Sequence, residues 1–207
     1  MAELWQRRRW LSVIVVTVAA VLLSSCSEGG SVPPEDNRRG VVEFVRDSAA
    51  VVPAEGWSTG EGAPRANVCG LGWGSTGAQF AYTYWALPNS DFNGDAQRVA
   101  EYWRSLGMSV RVTDSTPWPT VYGEGGPVLR ASFDTSSSWD GRYSMDAVSR
   151  CEPGDSDELN RSYQRRQAEG EVQPGDEPSM SQEDQDWKPP SSDGPVPSAP
   201  AAPRLGT

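Results

Sequence analysis

The sequence predicts an α+β fold, a small two-layer domain in which an antiparallel sheet of about four to five strands carries two helices on one face. Two observations predict it. Two segments have apolar residues at helical spacing, and several short segments alternate apolar and polar residues between turns that contain Gly, Pro or Ser. Strands joined by short turns pair antiparallel, and amphipathic helices then pack on one face of the sheet.

A stripe of apolar residues at spacings of three and four predicts each helix. The first helix runs over about 37–51, with Asp36 and Asn37 as capping residues and Pro53 after its end. The second runs over about 92–106, between a capping Asp91 and Gly107. The apolar positions are Val41, Phe44, Val45, Val51 and Val52 in the first helix, and Phe92, Ala96, Val99, Trp103 and Leu106 in the second.

Alternation with a period of two predicts the strands. Residues 79–86 form one strand that turns Phe80 and Tyr82 to one face and Thr83 and Trp85 to the other. A short strand over Val68–Trp73 precedes it, before a turn at Gly74–Gly77. The remaining strands are expected to form an antiparallel meander; they are Ser109–Thr113, Val128–Asp134 and Arg142–Cys151, with turns at Pro117–Pro119, Gly123–Pro127 and Ser136–Gly141.

Residues 153–207 are expected to form a disordered tail that is acidic and rich in Pro. From Glu152 onward the chain has 12 acidic and 5 basic residues and nine of the 17 prolines. Such a segment buries too little apolar area to offset the entropy lost on ordering. Asp155–Glu169 is the part that could extend as a loose helix. The globular domain is therefore predicted over 37–152, long enough for one hydrophobic core.

The N-terminal 25 residues predict an export signal. Arg7, Arg8 and Arg9 precede a 13-residue apolar run, Leu11–Leu23. This run is shorter than the ~20 apolar residues that span a bilayer as a helix. Residues 26–36 then form a polar, Pro-containing spacer, which we expect to be flexible.

The end of this signal, Leu23–Cys26 (LSSC), resembles the lipobox of bacterial lipoproteins. In that family a diacylglyceryl group is attached to the Cys sulfur, and a peptidase cuts before the Cys. The resemblance implies that Cys26 is the lipid-attachment residue and that the mature chain is anchored to the bilayer on the extracytoplasmic side of the cell membrane. An uncleaved anchor, or an ordinary signal with an incidental Cys26, is the alternative.

The two cysteines after Cys26 predict a disulfide bond. In an oxidising compartment Cys69 and Cys151 are expected to pair as a disulfide, and two free buried thiols are the alternative.

Without residues 1–25 the chain has 15 basic and 27 acidic side chains, a net charge of −12. A chain with this negative charge lacks the excess of basic residues that binds the phosphates of nucleic acid, so no nucleic-acid partner is expected.

Catalytic and metal-binding patterns are weak in this sequence. There is no His, and the only Lys, Lys188, lies in the predicted tail. We therefore expect neither an enzyme nor a cofactor, and a carboxylate-based hydrolase using Glu124 and Asp134 is the alternative. In the segment Asp91–Asp95, the side-chain oxygens of Asp91, Asn93 and Asp95 match positions 1, 3 and 5 of a calcium-binding loop. However, Gly and Glu are missing where that loop needs them, so it is interpreted as a capping turn.

Three aromatic residues are candidate contacts for a ligand or partner. Trp118 and Trp139 occur in polar turns, and together with Tyr122 they could line one end of the sheet. Aromatic side chains of this kind suit stacking on sugar rings or docking of a protein. Core filling in a small domain is the alternative for most of the other aromatic residues.

The order of these elements resembles small actinobacterial lipoproteins of the LppA type. The resemblance covers the lipobox, the leading helix, the aromatic strand, the second helix ending in Gly, the closing Cys and the Pro-rich tail. It implies location and fold and no mechanism. The leading hypothesis is a non-catalytic envelope lipoprotein that binds or organises another envelope component, such as an envelope protein, or acts as an accessory to a membrane complex. The second is a lipoprotein that binds a cell-wall glycan or a small solute.

Overall fold

Three helices and seven strands make up the part of the chain that the computed structural model describes, residues 32–59, 62–136, 141–173 and 175–176. The predicted signal, Cys26 and the tail beyond Asp176 lie outside these residues. Contacts divide the chain into Met1–Val32 and Pro33–Thr207. Among the described residues, no helix combines the length and apolarity needed to span a bilayer.

The fold is α+β, as predicted. The helices are α1 (Pro34–Ala50), α2 (Phe92–Ser105) and α3 (Ser156–Ala168). The strands are β1 (Ser58–Thr59), β2 (Arg65–Gly72), β3 (Ser75–Ala86), β4 (Ser109–Val112), β5 (Thr120–Glu124), β6 (Arg130–Asp134) and β7 (Tyr143–Val148).

All the strands belong to one antiparallel sheet with the order β1-β3-β7-β6-β5-β4. Strand β2 pairs with the first half of β3, and β1 pairs with its second half. Strands β4 to β7 form the predicted antiparallel meander, which contains four strands because β5 adds to the three expected. The long strand β3 therefore joins the meander to the β2–β3 hairpin.

The core lies between one face of the sheet and the helices α1 and α2. Trp103 of α2 is fully buried, stacks on Phe44 of α1 with ring centroids 5.8 Å apart, and donates an indole hydrogen bond to the buried Ser48 hydroxyl at 2.8 Å. The sheet contributes Phe133 and Met145, both fully buried, to the same core. The periodicity that predicted both helices thus identifies the faces that pack.

Helix α1 begins three residues earlier than predicted. Pro34 occupies its first turn, where the missing N–H of Pro is not needed, and Glu35 and Asp36 lie near the positive end of the helix dipole. The predicted caps Asp36 and Asn37 are thus inside the helix, and the Asn37 amide instead donates to the Arg150 carbonyl at 3.0 Å. Helix α2 has the predicted cap, because Asp91 accepts from the Gly94 N–H at 3.1 Å.

The folded part of the chain extends past 152, the predicted boundary, and includes helix α3. Arg38 of α1 is buried and donates to the Gln173 side chain at 3.0 Å and to the Asp176 carboxylate at 3.2 Å. Its guanidinium also lies 4.5 Å from the centre of the Tyr163 ring on α3. Burial and the hydrogen bond to Asp176 raise the pKa of the Tyr163 hydroxyl to about 12. These polar contacts, which local apolar periodicity does not reveal, hold residues 156–176 against α1.

The outer edge of β2 is contacted by α3. The Asn160 side chain accepts from the Ala66 N–H at 3.0 Å and donates to the Ala66 carbonyl at 2.9 Å. Both backbone groups of one edge residue are therefore satisfied by a single carboxamide.

The β2–β3 hairpin is longer than predicted and is attached by a disulfide to the segment that follows β7. Its turn consists of Trp73 and Gly74, whereas residues 75–77 of the predicted turn begin β3. Cys69 of β2 is bonded to Cys151, with 5.9 Å between the Cα atoms, which is the pairing that the cysteine count predicts.

Candidate functional site on the open face of the sheet

The face of the sheet opposite α1 and α2 carries a row of polar and aromatic side chains, here called the open face. Alternation along each strand produces it, because Tyr82, Phe133 and Met145 point into the core and their neighbours point away. The register places these neighbours side by side across the strands. The open face contains Thr83 and Trp85 of β3, Asp146 and the buried Ser144 of β7, Ser132 and Asp134 of β6, and Thr120 and Tyr122 of β5.

The Asp146 carboxylate lies at the centre of the open face. One of its oxygens accepts a hydrogen bond from the Thr83 hydroxyl at 2.5 Å, and the other accepts from the Ser144 hydroxyl at 2.5 Å. Thr83 is the direct cross-strand partner of Asp146 in the register of β3 and β7. The carboxylate is half-buried and oriented from both sides, so it presents fixed remaining lone pairs to an incoming donor.

Asp134 is the second carboxylate of the open face and lies diagonally across from Asp146. It accepts from the Ser136 N–H at 3.0 Å, and the Thr120 hydroxyl lies 3.4 Å from the same oxygen. Burial raises the pKa of the Asp134 carboxyl above its usual value, and the negative charge of Asp146 acts in the same direction. The hydrogen bonds from Ser136 and Thr120 oppose this rise without cancelling it.

We predict that Asp134→Asn removes a loss of unfolding free energy that begins as the pH rises through the ordinary carboxyl pKa of 3.8. Because the folded-state pKa of Asp134 is raised, the native state keeps this proton to higher pH than the unfolded chain does. The native protein therefore loses stability as the pH rises through this window, and Asn, which does not titrate, removes that loss. Denaturant unfolding at a series of pH values from 3.5 to 7 measures the difference. A variant less stable than the native protein at pH 7, relative to pH 3.5, would contradict the prediction.

Aromatic side chains flank this polar row on both sides. Trp85 is half-buried on β3, beside Ser144 in the register. Tyr122 of β5 is 41 % exposed, and the Arg111 guanidinium of β4 lies 4.5 Å from the centre of its ring. The row of hydroxyls and carboxylates thus lies between an indole on one side and a Tyr–Arg pair on the other.

The predicted contact residues are only partly brought together. Tyr122 is on the open face, and Trp118 is 51 % exposed in the loop that leads into β5. Trp139 lies outside the described residues, so the cluster of three remains a prediction. Asp134, Asp146 and Thr83 were not predicted to form a cluster. Their alternation with Phe133, Met145 and Tyr82 is the sequence signal that assigns them to one face, but the pairing register is needed to bring them together.

The two carboxylates proposed for a hydrolase do not converge. Glu124 pairs with Arg130 at the start of β6, and Asp134 is at the other end of that strand. Four residues of an extended strand separate the two positions by about 13 Å along the strand direction.

The Asp91–Asp95 segment is a capping turn, as interpreted from the sequence. Asp91 caps α2, and the fully buried Asp95 accepts a hydrogen bond from the Tyr143 hydroxyl at 2.6 Å and another from Arg98. Burial and the hydrogen bond to Asp95 raise the pKa of Tyr143 well above its usual value. The described part of the chain contains no group of three or more His, Cys, Asp or Glu side chains arranged to hold a metal ion.

A crystal structure of a DUF4853 family protein from Actinomyces odontolyticus is similar to this chain. The sequence identity is 19 % and the TM-score is 0.45, over 74 % of this chain and 80 % of that one. No protein-family model matches the chain, and no curated protein matches it. Any assignment of function therefore depends on the chain's own residues.

Proposed function

We propose that this chain is a lipid-anchored extracytoplasmic binding protein of the cell envelope, and that its open face binds a hydroxyl-rich ligand such as a cell-wall glycan. The observation that supports the ligand class is the row of oriented hydroxyl and carboxylate groups between Trp85 and Tyr122. The basic cluster, the short apolar run and the Cys of Leu11–Cys26 support the location.

The chemistry of the open face complements that of a sugar. Carboxylates accept hydrogen bonds from sugar hydroxyls, and Thr and Ser hydroxyls both donate and accept. Trp and Tyr present a flat apolar face with a polar edge, which suits the carbon–hydrogen face of a pyranose ring. A shallow site of this kind binds each sugar unit weakly, and repeated units in a polymer raise the overall affinity.

The open face favours a glycan over an accessory role in a protein complex. A protein-docking surface is expected to have a core of apolar and aromatic residues with few charges. Asp134 and Asp146, together with Thr83 and Ser144, instead occupy the centre of this face. The accessory role therefore ranks second.

The anchor is tested by changing Cys26→Ala in the full-length chain. We expect metabolic labelling with a lipid precursor to be lost, because the acylated sulfur is removed. A Cys26→Ala chain that still incorporates the label would show that the lipid is attached elsewhere.

Ligand binding is tested by thermal unfolding of the mature chain with soluble cell-wall glycan fragments. A ligand at about 100 times its Kd stabilises the native state by about 2.7 kcal/mol. In a chain of this size that raises Tm by roughly 5–10 °C. Trp85→Ala and Tyr122→Ala are expected to abolish the shift, each measured against its own Tm without ligand.

Trp73→Ser is the matched control for these variants, since it removes an exposed Trp from the β2–β3 hairpin and not from the open face. We expect it to keep the native shift. If the shift survives in both Trp85→Ala and Tyr122→Ala, the open face is not the site. If no glycan fragment shifts a cooperative native unfolding transition, the glycan assignment is wrong and the accessory role leads.

A further inference from the structure

The β2–β3 hairpin exposes three apolar side chains that the fold does not bury. Trp73 is completely exposed, at 107 % of its reference area, while Val68 is 66 % exposed and Leu71 is 39 % exposed. The hairpin from Ala66 to Ala78 contains no charged residue, although 22 % of the whole chain is charged. We call Leu71 and Trp73, at and next to the turn, the hairpin tip; Val68, which is opposite Ala78, lies further back along the strand.

The backbone conformation of the hairpin turn does not favour a Trp at position 73. Trp73 has a φ of 53° and Gly74 has a φ of 80°, so both residues of the turn are in the left-handed region. Two-residue turns of this kind favour Asn, Asp or Gly, because a bulky side chain at positive φ is strained. A residue that is strained in its backbone and contributes nothing to the core points to a contact outside the domain.

The hairpin tip is held in place by the rest of the fold. Its strands pair from Arg65 with Ala81 down to Gly72 with Ser75, and Cys69 is joined to Cys151. The tip therefore offers apolar side chains on a rigid support.

The chain enters the folded unit close to this hairpin. A Cβ at position 154 would lie 3.7 Å from both the Pro34 ring and the Ala78 side chain, so the start of α1 is next to the early part of β3. Ala78 is five residues from Trp73, a distance of about 16 Å along an extended strand. From Cys26 to Pro33 the chain is seven residues long and reaches at most about 25 Å.

We propose that the hairpin tip inserts into the interfacial region of the lipid bilayer. Trp is enriched at this depth, where its ring contacts acyl chains and its N–H contacts water. The mature chain carries a net charge of −12, so most of its surface is repelled by anionic lipid, whereas the uncharged hairpin is not. Apolar side chains near the start of a short tether are suited to meet the membrane that holds the tether. This inference uses the proposed lipid anchor at Cys26 to bring the hairpin within reach.

The experiment uses the full chain as exported, reconstituted into phosphatidylcholine–phosphatidylglycerol vesicles with brominated acyl chains, which quench nearby Trp fluorescence. The native protein, Trp73→Phe and Trp118→Phe are compared, and the mass of the Cys26 peptide is measured on the same samples. We expect bromolipid to quench the native protein and Trp118→Phe equally. Trp73→Phe is expected to lose most of this quenching.

Equal quenching in the native protein and Trp73→Phe, with lipid present on Cys26, would overturn the hairpin contact and leave the anchor intact. Trp73-dependent quenching without lipid on Cys26 would support the hairpin contact and overturn the anchor. A photo-crosslinker at position 73 that captures an envelope protein, together with an unquenched native chain, would overturn lipid contact in favour of a protein partner.

Discussion

Replacing Cys69 and Cys151 together with alanine is expected to lower the free energy of unfolding by about 4.5 kcal/mol, a figure that follows from the entropy of closing a loop of this length. The disulfide joins residues separated by 82 positions, and this loop contains most of the sheet and the whole of α2. Without the bond the unfolded chain gains conformational freedom that the folded chain does not. Denaturant unfolding of the native protein and the double variant, both without reducing agent, measures the difference.

Reduction of the native protein supplies the control for the disulfide variant. A reducing agent is expected to destabilise the native chain by a similar amount and to leave the double variant unchanged. A loss below about 1 kcal/mol would mean that residual structure restricts the unfolded chain even without the bond, contrary to the loop-closure model.

Changing Trp103→Ala is expected to lower the free energy of unfolding by about 3–5 kcal/mol, the range for removing a large buried aromatic side chain. Trp103 is fully buried, stacks on Phe44 and donates to the Ser48 hydroxyl. Its removal leaves a cavity between α1, α2 and β5 and an unpaired hydroxyl in that cavity. Chemical unfolding followed by circular dichroism measures the loss.

Two further variants separate the causes of this loss. Trp103→Phe keeps an aromatic ring but leaves the buried Ser48 hydroxyl without its donor. We expect it to cost about 1–3 kcal/mol, the penalty for an unpaired buried polar group, and so less than the alanine change. Trp118→Ala removes a Trp that is 51 % exposed and is expected to change stability by about 0.5 kcal/mol or less. An equal loss for the two alanine variants would contradict the assignment of Trp103 to the core.

Helix α2 shows what local sequence is able to predict. Its predicted range, 92–106, exceeds the observed helix by one residue at the C-terminal end. Three local signals agree there, since Asp91 caps the first turn, apolar residues repeat along one face and Gly107 follows with a φ of 78°. When capping, periodicity and termination coincide, tertiary contacts have little left to change.

Strand β5 shows why a strong local signal can mislead. Gly123 and the prolines before it predicted turns, yet Gly123 is inside a strand, opposite Ala131 of β6. A Cβ on Gly123 would lie 2.8 Å from the Trp103 ring and 3.0 Å from the Met108 side chain. Here Gly provides room for a buried indole, a requirement set by a helix 20 residues earlier in the chain and invisible to local propensity.

On the open face, too, local sequence predicts some features and the pairing of distant strands determines the others. Alternation in residues 79–86 predicted that Thr83 and Trp85 share a face, and the structure agrees. Their partners Asp146 and Ser144 are contributed by a strand about 60 residues later. A shift of one residue in the pairing would send those side chains into the core, so the cluster depends on a register that single strands do not reveal.

The two hydrogen bonds between Asn160 and the Ala66 backbone also affect how copies of this chain can associate. An unpaired strand edge is a template to which another chain can add, and polymerisation by strand addition becomes easier as local concentration rises. Asn160 occupies both backbone groups of Ala66, and the opposite edge strand, β4, has four residues and carries the charged Arg111. One edge is blocked at Ala66 by a side chain and the other is short and charged, so strand addition is hindered at both of these places.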